Sequence, residues 1–404
     1  MQNVIEQLKR RNFIEQLTHP KEIEEQFMRE PTSFYVGIDP TADSLHVGHF
    51  VSLMVASTLQ KAGHKPIILV GGGTANIGDP SGKTDMRKML SKEDIQKNVD
   101  GIRKQLERFI TFEGTNGAII VNNAQWLSDL NFIEFMREIG SLFSVNKMLA
   151  AECYKQRLES GLTFFELGYM LMQSYDFLYL YNKYNCKVEI GGNDQWSNII
   201  GGVDLIRKIG KNDSFGLTFK LLTTKEGKKM GKTEKGALWL NADRVSPYEF
   251  YQYWRNIEDE SVSTVMKMLT HLPLEEIEKL CEYADERMNN AKKIAAFEIT
   301  KLVHGEEEAK KAEEASNALF VGSGSLENMP TIKLDKIQTS IVDVIIKTNI
   351  APSKGQARTL IMQGGITLND NKVTDVNYVL SEDDFKDQFA IIKKGKKIFY
   401  KLEK

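Results

Sequence analysis

The chain has 404 residues, 41% hydrophobic and 27% charged, an ordinary globular composition that is too long for one core and so implies two or three domains. Its formal net charge of −2 excludes a protein that is basic throughout, so any nucleic-acid surface must be local. The three cysteines, Cys153, Cys186 and Cys281, are widely spaced and form no CxxC, no apolar run reaches the ~20 residues of a membrane span, and the first residues lack a signal-peptide core; a reducing, cytoplasmic setting is expected, without a disulfide framework or cysteine zinc site.

Residues 1–30 read as amphipathic helix. SFYVGID, 33–39, is aromatic and β-branched and reads as a strand ended by Asp39-Pro40. LHVGHFVSLMVASTLQKAG reads as a helix stopped by Gly63. KPIILVGGG, GAIIVNNAQW and CKVEIGGNDQW read as three further strands, two of them running into glycines. Strands alternating with helices predict an α/β fold with an open parallel sheet, whose ligands sit at the carboxyl ends of the strands. Residues 246–318 read as helical and locally acidic. VGSGSLENMP, 321–330, has no periodicity and reads as linker. From Lys347 to Lys404 there are 11 Lys or Arg against 7 Asp or Glu, a net +4, so the tail of an acidic chain is basic.

Only six histidines occur, and two of them, His46 and His49, share TADSLHVGH. Thr41, Asp43 and Ser44 are N-cap residue types, which predicts a helix start near Leu45. His46 and His49 then lie on one face of the first turn, beside unpaired N–H groups suited to phosphate. Gly48 between them leaves room for a flat base or sugar. A metal pair lacks a third ligand and the HExxH spacing; plain capping or surface histidines remain open. GDPSGKT, 78–84, imitates a P-loop but has one residue too few between its glycines, and GGGTAN fails the dinucleotide pattern at its last position. KEGKKMGKTEKG, 225–236, carries five lysines. It is either a solvated charged loop or a mobile clamp for the charge that develops in phosphoryl transfer.

HVGH resembles the His-Ile-Gly-His signature of class I aminoacyl-tRNA synthetases. KMGKT, 229–233, resembles their Lys-Met-Ser-Lys-Ser loop, with Gly231 for the first serine and Thr233 for the second. YVGIDPTADSLHVGH, GGGTANIGDPSGKT, YMLMQSYD and IGGNDQW extend the likeness, across essentially the whole chain, to bacterial tyrosyl-tRNA synthetases. The helix LTFFELGYMLMQSYDFLYLY bears on this independently. It is apolar nearly all round except for a stripe of Glu166, Tyr169, Gln173 and Asp176, and buried polar groups need partners. A ligand with an ammonium and a hydroxyl would supply them.

The resemblance implies a Rossmann-like, doubly wound catalytic domain over 1–220, with a dimerisation insertion at about 126–160. A lysine loop at 221–236, a helical anticodon-arm domain at 237–320, a linker at 321–339 and an S4-like RNA-binding domain at 340–404 follow. It implies that Tyr35 and Asp176 hold the phenolic hydroxyl of L-tyrosine. Tyr169, Gln173 and Asp79 would hold its ammonium, and Gln195 would lie alongside. Gly37, Asp39, Gly192 and Asp194 would bound the tyrosine and ribose sites. Thr41 and His46 would meet the triphosphate of ATP, with Gly48 and His49 near the ribose. Lys229, Lys232 and Thr233 would close on pyrophosphate. Magnesium would arrive with ATP, and no carboxylate cage for it is evident. In the tail, APSKGQARTLIMQGGITLND has an apolar set at Ala357, Leu360 and Ile361, with Lys354 and Arg358 exposed for RNA, and Gly364-Gly365 as helix stop. The implied partners are L-tyrosine, ATP, tRNA(Tyr) and a second copy of the chain, with no membrane. A tryptophanyl-tRNA synthetase is the rival within the class, disfavoured by Tyr35, Asp176 and the tail. A non-enzymatic RNA-binding relative is the rival outside it, disfavoured by intact HVGH and KMGKT.

Overall fold

The computed structural model describes residues 3–404 apart from 75–78, 80–90, 212, 226, 234–235, 284, 322–330, 386–387 and 396–397. Two compact units emerge: residues 1–231 with 263–279, and residues 232–262 with 280–404.

The first unit is built on a six-stranded sheet of β1 (Ile14–Leu17), β2 (Ser33–Ile38), β3 (Lys65–Val70), β4 (Ile119–Asn122), β5 (Cys186–Gly192) and β6 (Phe215–Phe219). The spatial order is β1-β6-β5-β2-β3-β4. All neighbours are parallel except β1, which runs antiparallel to β6 with Ile14 opposite Phe219. β2 and β3 are mainly apolar, and all of β2, β3 and β5 are almost wholly buried, as expected of strands covered on both faces. From β2 the chain winds outward through β3 and β4, then returns to the other side of β2 for β5 and β6. The direction of winding therefore reverses between β2 and β5, the switch point at which doubly wound sheets open a crevice. Tyr35 on β2 lies directly opposite Glu189 on β5.

The expected helix over residues 1–30 is instead two helices, Val4–Arg10 and Pro20–Arg29, separated by β1. Asn12, at φ 64°, ends the first helix, a left-handed conformation that asparagine tolerates better than most residues. The strand that follows is four residues long, too short for its period to be read. A second difference concerns 263–279, expected in the helical domain. These residues pack with the first unit, where the buried Arg11 guanidinium donates to the carbonyls of Lys267, Thr270 and Leu272 at 2.7–3.0 Å. The first two lie at the C-terminal end of the helix Asp259–Leu269, whose last carbonyls have no donor within the helix.

In the second unit, helices Pro247–Arg255, Met288–His304 and Glu306–Val321 pack together. The tail forms a five-stranded sheet with helices Ile341–Lys347 and Lys354–Met362. Thr331–Lys333, inside the span expected to be linker, is a strand of this sheet, parallel to Ile398–Glu403. Tyr400 of the tail donates its hydroxyl to Glu249 of the helix Pro247–Arg255 at 2.9 Å. Ala357 and Ile361 are buried and Leu360 partly so, as the apolar spacing predicts, and the helix ends just before Gly364, at φ 67°.

Candidate functional site

The helix after β2 begins at Val47, with His46 itself as N-cap, two residues later than the sequence suggests. Thr41, Asp43 and Ser44 lie in the preceding loop, and the exposed Thr41 donates its N–H to the Asp39 carbonyl at 2.8 Å. His46 Nδ1 accepts from the Gly48 N–H at 3.0 Å, and His49 Nδ1 accepts from the His46 N–H at 3.3 Å. The two rings sit 4.1 Å apart, centroid to centroid. Because both Nδ1 atoms accept, both neutral rings carry their proton on Nε2. The cap thus makes two N–H donors of fixed tautomer at a helix N-terminus, an anion-favouring place. A Cβ on Gly48 would lie 2.7 Å from His46 Cε1 and 2.9 Å from Nδ1, so glycine is needed there to seat the His46 ring.

Around β2 and β5 the polar side chains form a connected set. Asp39, at the exit of β2, accepts from Thr74 Oγ1 at 3.2 Å and from the Tyr169 hydroxyl at 3.3 Å. Gly71 must lack a side chain for this, since a Cβ there would fall 2.3 Å from Asp39 Oδ1. Asp176 is buried; its Oδ1 accepts from Trp126 Nε1 at 2.7 Å and its Oδ2 from Asn123 Nδ2 at 2.9 Å. Burial pushes its carboxyl up to about 8, while the two N–H donors pull the other way. Gln173 Nε2 donates to Glu189 Oε1 at 2.9 Å. Tyr35 is 2% exposed, and its hydroxyl makes no well-formed hydrogen bond among the described residues; Glu189 is the group that acts on it most directly. Gln195 donates to Asp79 at 2.7 Å and accepts from Asn198 at 3.2 Å. Gly37 on β2 is exposed, with open space where a Cβ would point. Gly192 closes β5, and Asp194, two residues on, pairs with Lys229 Nζ at 3.2 Å.

The lysine loop is anchored by the buried Met230, whose N–H reaches the Leu222 carbonyl, and by the pairing of Thr223 with Lys229. Gly231 takes φ 81°, and a Cβ there would lie 2.7 Å from Val47 Cβ. Glycine therefore stands in the serine position because backbone and space both require it, and the loop passes directly against the first residue of the histidine-capped helix. Lys232 and Thr233 open the second unit in a short ribbon with Gly236 and Ala237; their side chains lie outside the described residues, as does GDPSGKT apart from Asp79.

Of the stripe, Tyr169, Gln173 and Asp176 bond across to Asp39, Glu189, Asn123 and Trp126, whereas Glu166 is spent at the start of its own helix. Its carboxylate accepts from Thr163 Oγ1 at 2.8 Å and from the Thr163 N–H at 3.1 Å, closing a capping box at the helix start. Phe164 and Phe165 beside it are exposed although Glu166 itself is buried, so the first turn is not apolar all round as the sequence suggests. Sequence reasoning missed Asn123, Trp126, Thr74 and Glu189. Asn123 and Trp126 had a signal in NNAQW, polar residues at the exit of a buried strand. In the tail, Arg358 is exposed, and Lys354 is exposed but paired with Asp343 at 2.8 Å. Among the described residues no cluster of three metal-ligating side chains occurs, and no helix is long and apolar enough to cross a membrane.

Residues 28–321 match the family described as tRNA synthetases class I (W and Y), and residues 323–402 match the tyrosine–tRNA ligase SYY-like C-terminal domain. Over its whole length the chain is 55% identical to tyrosine–tRNA ligase 1 of Clostridium acetobutylicum, covering 99% of that protein. It is 56% identical to the tyrosine–tRNA ligase of Acetivibrio thermocellus, covering 100% of it. A C-terminally truncated mitochondrial tyrosyl-tRNA synthetase of Aspergillus nidulans superposes with a TM-score of 0.71 at 29% identity, over 79% of this chain and 95% of that one. A tyrosyl-tRNA synthetase of Archaeoglobus fulgidus complexed with L-tyrosine shares the fold, with a TM-score of 0.59 at 17% identity over 77% and 99%.

Proposed function

The chain belongs to the class I tRNA synthetases, among the tyrosine–tRNA ligases, and from that premise we propose how its residues divide the work. Its reaction has two steps. The tyrosine carboxylate attacks the α-phosphate of ATP, giving tyrosyl-adenylate and pyrophosphate; the terminal ribose hydroxyl of tRNA(Tyr) then takes the tyrosyl group and releases AMP.

The observation that carries the assignment is the buried Asp176, held by Asn123 and Trp126 beside the Tyr35 hydroxyl. A carboxyl buried in a largely apolar helix, within electrostatic reach of a buried tyrosine hydroxyl, suits a phenol. Asp176 and Tyr35 take the phenolic hydroxyl. Tyr169, Gln173 and Asp79 take the ammonium, with Gln195 holding Asp79 in place. Asp39, Gly37, Gly192 and Asp194 border the adenylate. Thr41 and the Nε2–H groups of His46 and His49, with Gly48 seating the first ring, meet phosphate and ribose. Lys229, Lys232 and Thr233 stabilise the leaving pyrophosphate. The carboxylate is already a nucleophile, so catalysis is alignment plus charge stabilisation. Mg2+ enters with ATP, on phosphate oxygens.

The basic tail, with Lys354 and Arg358, binds tRNA. A second copy docks on the segment 126–160, where Phe132 and Ile133 are 64% and 69% exposed and the helix Phe132–Glu138 buries no residue; such a patch on a single chain marks an interface. The protein works in the cytoplasm. Lys229→Ala tests the assignment of the loop. Pyrophosphate exchange is expected to slow by roughly 10²–10³ while the KM for tyrosine barely moves. Equal losses in both would make the loop structural.

A further inference from the structure

Glu189 is a carboxyl that the reaction does not require. It lies on β5 in register with Tyr35 and is 2% exposed. One oxygen, Oε1, accepts from Gln173 Nε2 at 2.9 Å. Neither the other, Oε2, nor the neighbouring Tyr35 hydroxyl makes a well-formed hydrogen bond among the described residues, and the two groups act on each other. The space is prepared for it: a Cβ on Gly202 would lie 3.2 Å from Oε2 and 2.9 Å from Phe177. The groups around it are Tyr35 on β2, Asp176 and Gln173 on the helix Phe164–Tyr184, and the Cys186 thiol on its own strand, with Asp39 acting on Asp176 from the exit of β2.

We propose that Glu189 is a positioning residue of the tyrosine site, a neutral carboxylic acid that donates from Oε2 to Tyr35 Oη and so turns the Tyr35 hydroxyl proton toward the substrate. The inference rests on the tyrosine-pocket reading above. Proton counting supports it. A substrate phenol has one proton, and Asp176 is placed to accept it as a third donor after Asn123 and Trp126. Three donors favour the Asp176 anion. The phenol oxygen then accepts from Tyr35, whose own oxygen is left to accept, and among the described residues protonated Glu189 is the donor beside it. Two carboxyls in one buried site do not both ionise readily, and burial raises both, Asp176 to about 8 and Glu189 to about 7; the substrate phenol, as the third donor to Asp176, is what shifts the balance to the Asp176 anion and leaves the shared proton on Glu189. At the other end Glu189 Oε1 takes the NH2 of Gln173, which turns the Gln173 carbonyl oxygen toward an ammonium. One side chain thus orients a recognition group for each end of tyrosine. When Glu189 ionises, it accepts the Tyr35 proton instead and the donor to the phenol is lost.

Glu189→Gln copies the neutral acid, with a carbonyl for Gln173 and an NH2 for Tyr35, and cannot ionise. The KM for tyrosine in pyrophosphate exchange is measured at pH 6 and pH 8.5, with the KM for ATP as control. In the wild type it is expected to rise about tenfold, the worth of one hydrogen bond to a buried polar group, with no matching rise for ATP. In Glu189→Gln the rise is expected to stay under about twofold. Glu189→Leu, which strands both partners, is expected to raise the KM for tyrosine about tenfold at either pH; if it does not fold, the glutamine variant alone decides. A flat wild-type profile, or the same rise in Glu189→Gln, overturns the proposal. Tyr35→Phe separates the two readings: no change in its KM for tyrosine would remove the pocket and this proposal together, whereas a raised KM leaves the pocket standing whatever Glu189 does.

Discussion

His46 and His49 hold each other at the helix start, each accepting a backbone N–H through Nδ1, with His46 as N-cap. The pair is therefore a structural cap that also fixes the N–H of each neutral ring on Nε2. Gly48→Ala places a methyl 2.7 Å from the His46 ring and must displace it. Adenylate formation is expected to slow by roughly 10²-fold, the cost of misplacing a contact by about 1 Å, with the KM for tyrosine nearly unchanged. Single-turnover adenylate formation measures both; a normal rate would mean that the His46 ring position is irrelevant to the chemistry.

Trp126 and Asn123 are the only donors described to Asp176. Removing one leaves a buried carboxyl with a single hydrogen bond. Trp126→Phe is expected to raise the KM for tyrosine about tenfold and to leave the KM for ATP alone. A change in ATP affinity of the same size would place Trp126 in a scaffold serving both substrates.

The Glu189 carboxyl also predicts a pH dependence of stability. Its ordinary value of 4.5 rises to about 7 on burial. Below pH 4.5 the acid is neutral in folded and unfolded chains, and nothing is lost. As pH rises from 4.5 through about 7 the unfolded chain gains an ionisation that the fold resists, and stability falls. Glu189→Gln escapes this. Its stability relative to wild type is expected to grow between pH 4.5 and 8.5 by on the order of 3 kcal/mol, read by urea unfolding without ligands. A constant difference across that range would show that Glu189 ionises as easily in the fold as in water.

In the tail, Lys354 is tied to Asp343 while Arg358, one turn on, points outward. Arg358→Ala is expected to weaken tRNA binding more than Lys354→Ala and to reduce the salt dependence by about one phosphate contact. Filter binding at two salt concentrations checks this; equal effects would mean that the Lys354–Asp343 pair opens on tRNA.

Much of this was readable from local pattern. β2 and β3 are mainly apolar runs and β5 alternates apolar with polar residues, all ending at glycines or Asp-Pro, and the two signature loops carry their chemistry in adjacent residues. What escaped was set by distant pairing. β1 is four residues long and becomes a strand through β6. Thr331–Lys333 sits beside a linker-like stretch and pairs with the far end of the chain. Glu189 reads as an ordinary polar residue in CKVEIGG; only Tyr35 on the next strand and Gln173 on the covering helix reveal it as buried. Glu166 misled for the opposite reason. Its spacing matched the pocket stripe, but three residues after Thr163 a glutamate is also a helix cap.

The central claim is that the pocket formed by Tyr35, Asp176 and their supports selects a phenol for activation by ATP. Pyrophosphate exchange with tyrosine, phenylalanine and tryptophan, in the absence of tRNA, tests it most directly. A site that hydrogen-bonds the hydroxyl is expected to favour tyrosine over phenylalanine by ~10⁴ or more in kcat/KM, and to give negligible exchange with tryptophan. Exchange with phenylalanine within about tenfold of tyrosine, short of the 10⁴–10⁵ such hydroxyl recognition delivers, or exchange with tryptophan that matches tyrosine, would contradict the account.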